Sequence, residues 1–130
     1  MTNPKEITIN NARYILVEEK KPIIIEIKTR IEIYPHDLPG LHTFDGAQKE
    51  AAKLGHGWRV PTDEELNLIC DNKANIAGLN LTGSFPDGWY WSSTPDDDDG
   101  ARCQRLSDGY QDDAGRSGGL SVRLVRSLVI

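Results

Sequence analysis

Apolar and polar positions alternate in a way that places strands at both ends of the chain and helices in its middle. Ile7-Thr8-Ile9 and Tyr14-Ile15-Leu16-Val17 are short runs rich in β-branched and aromatic residues. Between them lies Asn10-Asn11, a pair that tolerates positive φ and suits a tight hairpin turn. After the Lys20-Lys21-Pro22 break, Ile25, Ile27, Ile31 and Ile33 alternate with Glu26, Lys28, Arg30 and Glu32. This period of two predicts a half-buried strand with the isoleucines on one face. Residues 1–34 therefore read as a strand-rich arm. The arm could complete the sheet of the domain formed by residues 35–130, or pair with another chain to give a homo-oligomer or a subunit of a larger assembly such as a phage particle.

Pro35 and Pro39-Gly40 end the alternation, and helical spacing follows. Ala47, Ala51 and Leu54 form the apolar stripe of a helix over residues 45–54, with Asp45 and Gln48 at capping-box spacing and Gly55 as a stop. Thr62 caps a second helix, Glu65 completes its capping box, and Leu66, Leu68, Ile69 and Cys70 supply its buried side. Residues 71–88 carry scattered Asn, Gly, Ser and Pro and predict a long loop, with 77–81 as the segment able to form a short strand. Strands return at 89–93, 101–106 and 120–125, separated by polar connections at 95–100 and 107–119. Strands, two helices, then strands make an α+β layout. Parity within 101–106 puts Arg102 and Gln104 on the core face if Leu106 is there, leaving Cys103 and Arg105 outside. A buried Arg102 then calls for a charged partner or a strand irregularity. Arg123 and Arg126, three apart on the last strand, point to opposite faces, one pairing with a carboxylate and the other facing solvent.

Composition narrows the function. A length of 130 residues fits one domain. No apolar run approaches the roughly 18 residues of a membrane span, and the opening residues lack the basic-then-apolar pattern of an export signal. That favours a cytoplasmic or virion-associated location over secretion by that route. Two cysteines cannot build a disulfide framework, so Cys70 and Cys103 read as packed, reduced thiols. The net charge of −5 opposes counterion release. It argues against nucleic acid and anionic membranes as partners, while allowing a cation or a basic partner.

Four segments taken in order carry a resemblance. They are Gly57-Trp58-Arg59-Val60-Pro61-Thr62-Asp63-Glu64-Glu65-Leu66, Tyr90-Trp91-Ser92-Ser93-Thr94, Ser107-Asp108-Gly109-Tyr110 and Val122-Arg123-Leu124-Val125-Arg126. Over about residues 43 to 127 the chain resembles the Lcl C-terminal domain family, named for a bacterial collagen-like adhesin. That family is akin to the Fibrobacter succinogenes major paralogous domains and, more remotely, to formylglycine-generating enzymes. The resemblance implies a C-type-lectin-like fold: two helices on a twisted antiparallel sheet, chain ends close together, and long loops presenting a variable surface. It also implies an adhesive or phage-associated recognition module. The chain departs from the family in its isoleucine-rich opening, in Arg102 and Gln104 at commonly apolar positions, and in lacking an export signal.

The candidate chemistry is that of contact, not catalysis. Between Pro95 and Gly119 the mix of polar and aromatic residues predicts a ligand surface of Arg105, Tyr110, Gln111, Asp112, Asp113, Arg116 and Ser117, with Trp89 and the Asp96–Asp99 loop at its margin. A protein or carbohydrate surface is the expected partner. Asp96, Asp97, Asp98 and Asp99, with Asp108, Asp112 and Asp113, could gather oxygen ligands for Ca²⁺, but their spacing fits no EF-hand loop. A solvated charged turn that protects a sheet edge accounts for the same residues, so no cofactor is expected. Core packing suits Trp58 and Trp91, whereas Trp89, at a loop end, leaves packing and sugar stacking both open. Cys70 and Cys103 could mimic the cysteine pair of formylglycine-generating oxidases, yet Cys70 has no basic neighbour to activate it. His36, His42 and His56 lack the spacing of a zinc site. The chain is expected not to be an enzyme.

Overall fold

A computed structural model describes residues 5–9, 12–16, 29–97 and 99–129. The chain divides into two compact units, residues 1–32 with 127–130, and residues 33–126. In the first, β1 (Lys5–Ile9) and β2 (Ala12–Leu16) pair antiparallel with Ile9 opposite Ala12, the two-residue separation of a tight hairpin. Asn10-Asn11 themselves, Val17, and the isoleucine run before Thr29, with Ile25 and Ile27, lie outside the described residues. The alternating segment is described as β3 (Thr29–Ile33), which pairs with β7 (Val125–Val129). Arg30 is exposed, and Ile31 and Ile33 are half-buried.

The second unit begins with α1 (Phe44–Leu54). Its cap is Thr43, not Asp45: the Thr43 hydroxyl accepts the Gly46 N–H at 3.0 Å. Thr43 has the extended backbone that an N-cap requires, and starting the helix at Phe44 lets that ring meet Trp91 edge-on. Asp45 instead sits in the first turn, where the helix dipole favours negative charge. Gly55, at φ +70, ends the helix as its sequence suggests. In α2 (Asp63–Asp71) the capping box is complete, with Glu65 N–H to Thr62 Oγ1 at 3.2 Å and Thr62 N–H to Glu65 Oε1 at 2.9 Å. Leu66, Ile69 and Cys70 are buried, but Leu68 is 52% exposed. Positions 66, 69 and 70 form one helical stripe, and 68 falls on the opposite side.

β4 (Trp89–Pro95), β5 (Gly100–Arg105) and β6 (Gln111–Gly115) form an antiparallel sheet in that order. β6 lies within the stretch that sequence assigned to a loop. Gln-Asp-Asp-Ala-Gly has no strand periodicity, and it pairs because the turn at Gly109 (φ +83) folds it directly back on β5. Residues 77–81 form no strand, and a 3-10 turn (Lys73–Asn75) follows α2.

The sheet is covered on both faces, so burial along β5 does not alternate. Trp89, Trp91, Ala101 and Cys103 join a core with Phe44, Ala47, Ala51, Val60, Leu120, Val122 and Leu124. On the other face Gln104 donates to Asn67 of α2 at 2.9 Å, and the Cys70 thiol meets the Leu106 carbonyl. The expectation that Cys103 lies outside is thereby corrected: opposite Trp91, it is buried in the core. Arg102 has its partner, Asp113 directly opposite on β6 at 2.7 Å, and β4 shifts register between Trp91 and Pro95. Residues 120–124 do not make a regular strand. They run between the opening segment and β4, with Tyr34 N–H to Leu124 O and Leu38 N–H to Val122 O on one side, and Trp91 N–H to Ser121 O on the other. The two ends of this unit therefore lie side by side.

Candidate recognition site

β4 and β5 place Trp89 opposite Arg105, and the β5–β6 turn brings Tyr110 back to Arg105, whose N–H donates to the Tyr110 carbonyl at 2.8 Å. Trp89 is the floor, 9% exposed. Tyr110, 54% exposed, stands edge-on to it at 6.0 Å between ring centres. The Arg105 guanidinium stacks on both rings, 5.3 Å from Trp89 and 5.5 Å from Tyr110. Asp108 fixes it with two bonds of 3.0 and 2.6 Å and also accepts the Tyr110 N–H. The hydrogen bond from Arg105 is the main cause that lowers the Asp108 carboxyl to a pKa of about 2. This pair stays charged through any ordinary pH.

Sequence reasoning missed Phe85. It is 74% exposed and meets Trp89 edge-on at 6.4 Å, from the side of the loop. The available signal was an aromatic residue set among Gly83, Ser84, Pro86, Asp87 and Gly88, where packing has no use for it. The loop that holds it is knitted by its own polar side chains. Asn80 Oδ1 accepts from the Thr82 amide and hydroxyl, Thr82 Oγ1 accepts the Ser84 amide, and Asn80 Nδ2 donates to Asp87. Ser121 Oγ donates to the Asp87 carbonyl at 2.7 Å, tying the loop to the frame.

The loop is also anchored on a buried polar node that the sequence did not reveal. Arg123, 1% exposed, donates to Asp37 at 2.7 Å and to the carbonyls of Tyr34 and Ala77. The Tyr90 hydroxyl donates to Asp37 at 2.5 Å and accepts the Asn80 N–H at 2.7 Å. Burial, first, then the bond to Asp37, push the Tyr90 phenol upward, so it remains a donor. Arg123 thus meets the expectation of a carboxylate partner. Arg126 stacks on Trp58 at 4.5 Å and donates to the His56 carbonyl. A cavity of about 350 Å³ lined by Ile33, Tyr34, Ile76 and Arg123 lies beside this node and includes none of the expected contact residues.

The other expected contact residues separate into two places. Gln111, Asp112 and Asp113 are exposed along β6, starting beside Tyr110. Arg116 and Ser117 lie past the far end of β6. There Arg116 donates to the carbonyls of Gly100 and Asp97 and stacks on Phe44 at 5.2 Å, while Ser117 is exposed. Arg116 therefore ties the acidic turn to α1. Asp97 Oδ1 closes that turn by accepting the Asp99 and Gly100 amides; Asp98 lies outside the described residues. Asp96 is raised by its hydrogen bond with Asp113, while Asp113 is lowered chiefly by Arg102. Among the described residues no group of three or more His, Cys, Asp or Glu is arranged to hold a metal ion.

Trp91 is fully buried, with its indole N–H on the His42 carbonyl at 2.7 Å, and Trp58 is half-buried against Tyr34. Cys70 and Cys103 are unbridged and buried. Desolvation raises both thiols, Cys103 to about 12. His36 and His42 bond to nearby carbonyls, and His56 occupies a turn at φ 57.

Comparison with known proteins follows these boundaries. No curated protein matches the chain. The model of the Lcl C-terminal domain matches residues 38–126, which is more than half of the chain and nearly all of its second unit. The four motifs quoted from the sequence fall within that match, and the chain belongs to the Lcl C-terminal domain family.

Proposed function

We propose that the chain is a non-enzymatic, adhesin-like recognition module with a C-type-lectin-like frame, binding a protein or glycan surface through the loops of its last third. The observation that carries this reading is the patch of Phe85, Arg105 and Tyr110 over the Trp89 floor. It leaves two large aromatic rings in solvent on segments tied down through Asn80, Asp87 and Asp108. Exposed aromatic and arginine side chains held rigidly are the groups that dominate binding energy at interfaces. In this reading the surface is centred nearer Phe85, and the bonds of Arg116 to Gly100 and Asp97 support a tethering role for it. Family membership supports the adhesive sense. The test is an array of glycans and surface proteins, probed with and without calcium. The recognition reading expects at least one ligand whose retention falls about tenfold in Tyr110→Ala with melting unchanged, and a ligand held equally by both chains would remove this patch.

A second reading makes the first unit an assembly element, supported by the β1–β2 hairpin lying in a compact unit of its own. Deleting residues 1–28, which leaves β3 and Tyr34 in place, and measuring solution mass separates the two. Loss of self-association with ligand binding retained assigns assembly to the arm and recognition to the domain.

A further inference from the structure

We infer that the patch around Tyr110 takes a basic, extended protein segment carrying arginine or lysine at alternate positions. This rests on the recognition reading above and names its partner class. The register puts Trp89, Arg105 and Tyr110 in one row across the sheet, and Trp91, Cys103 and Asp112 in the next row on the same face. Asp112 is therefore two residues along the edge strand from Tyr110, on the same side, and its carboxylate accepts only the adjacent Asp113 amide among the described residues.

Arg105 displays within the chain the chemistry that the rest of the patch lacks. Its guanidinium lies on two aromatic rings and is neutralised by a carboxylate. Phe85 adds a second exposed ring beside Trp89, and Asp112 adds an exposed carboxylate two residues along β6 from Tyr110. An incoming segment with alternate guanidinium or ammonium groups gains a cation–π contact from the exposed rings and a charge partner at Asp112. The surplus of acid on the chain favours that partner and repels a sulfated polysaccharide.

The edge of β6 suits an extended partner. Hydrogen-bonded rungs at Arg105–Tyr110 and Asp99–Arg116 fix the alternation, so Gln111, Asp113 and Gly115 turn their main-chain groups outward. The Asp113 amide is occupied by Asp112 and the Gly115 carbonyl by the Gly118 amide, which guards the far end. The Gln111 rung, beside Tyr110, remains for a strand-like segment. Alternate residues of such a segment are about 7 Å apart, the step from Tyr110 to Asp112 on β6.

The test uses the full chain and fluorescence anisotropy with a labelled glycine–arginine repeat peptide, its glycine–glutamate counterpart, heparin, and a neutral oligosaccharide. Binding of the arginine peptide, weakened by salt, is the expected result. Phe85→Ala and Tyr110→Ala should each weaken it about tenfold, and Asp112→Asn should weaken it and flatten its salt dependence. Asp99→Asn, an exposed charge at the far end of β6, should leave it unchanged. Unaltered melting temperatures confirm that each variant is folded. Equal loss in Asp99→Asn and Asp112→Asn, or no loss in the two aromatic variants, would show general attraction to acid and overturn the proposal. If heparin or the oligosaccharide binds in a Tyr110-dependent way and the arginine peptide does not, the partner class falls while the recognition reading stands. If no probe binds and the array finds no Tyr110-dependent ligand, both fall.

Discussion

The residue that does most to hold the loops in place is Arg123. It is buried in full, and its charge is met by Asp37 and two carbonyls from separate segments. Removing one partner of such a pair leaves an uncompensated charge in the interior, so Asp37→Asn should cost about 3–5 kcal/mol in urea unfolding. Tyr90→Phe deletes the hydroxyl between Asp37 and the Asn80 amide, and should cost about 1–2 kcal/mol. The sequence predicts that one of Arg123 and Arg126 pairs with a carboxylate, without choosing between them. It does not mark Asp37, which is far along the chain and sits between prolines like any turn residue. The thiols follow the same logic of burial. With both raised by desolvation, Cys70 and Cys103 should give no reaction with a thiol reagent at pH 8 until the protein is denatured.

Elements are readable where their signals are local. The α2 cap lies in four consecutive residues, Thr62 to Glu65, and the structure forms it as sequence spacing implies. Glu65 also takes two bonds from Arg59 at 2.6 and 2.8 Å, the chief cause that lowers its carboxyl. A lowered carboxyl stabilises fully above its unfolded value, about 4.3, and that contribution is lost as pH falls through the folded value. Glu65→Gln should therefore cost about 1 kcal/mol at pH 7, allowing for solvent screening at this half-exposed pair, and the gap to wild type should narrow at pH 3. Unfolding curves at the two pH values check this. α1 is a subtler case, since Asp45 and Thr43 are both plausible caps by residue type. The choice falls to Thr43 because Phe44 must reach Trp91, a contact 47 residues away in sequence. β6 was illegible for a related reason: an edge strand of polar residues carries no buried face to write a period into its sequence.

At the scale of the second unit, frame and patch should respond differently to substitution. Trp91→Ala empties the core between α1 and the sheet and should cost about 3–5 kcal/mol. Tyr110→Ala, at the surface, should change stability by no more than about 0.5 kcal/mol. Comparing the two in one melting experiment tests whether recognition and stability are separable. If Tyr110→Ala unfolds the domain, the patch is part of the core and the recognition reading loses its basis.

The amino-acid sequence by itself determined the α+β order of elements, the family, both helices and the stop of the first, and the two-residue hairpin spacing of β1 and β2. Each of these is written in neighbouring residues, through period, capping chemistry and glycine. Tertiary structure alone decided that both faces of the sheet are covered, so that Cys103 and Gln104 are both buried. It also decided that Arg123, Asp37 and Tyr90 meet, and that Phe85 and Tyr110 both meet Trp89 while Arg116 lies past the far end of β6. Those outcomes depend on which distant segments arrive at the same place, and packing settles that through contacts that no local pattern encodes.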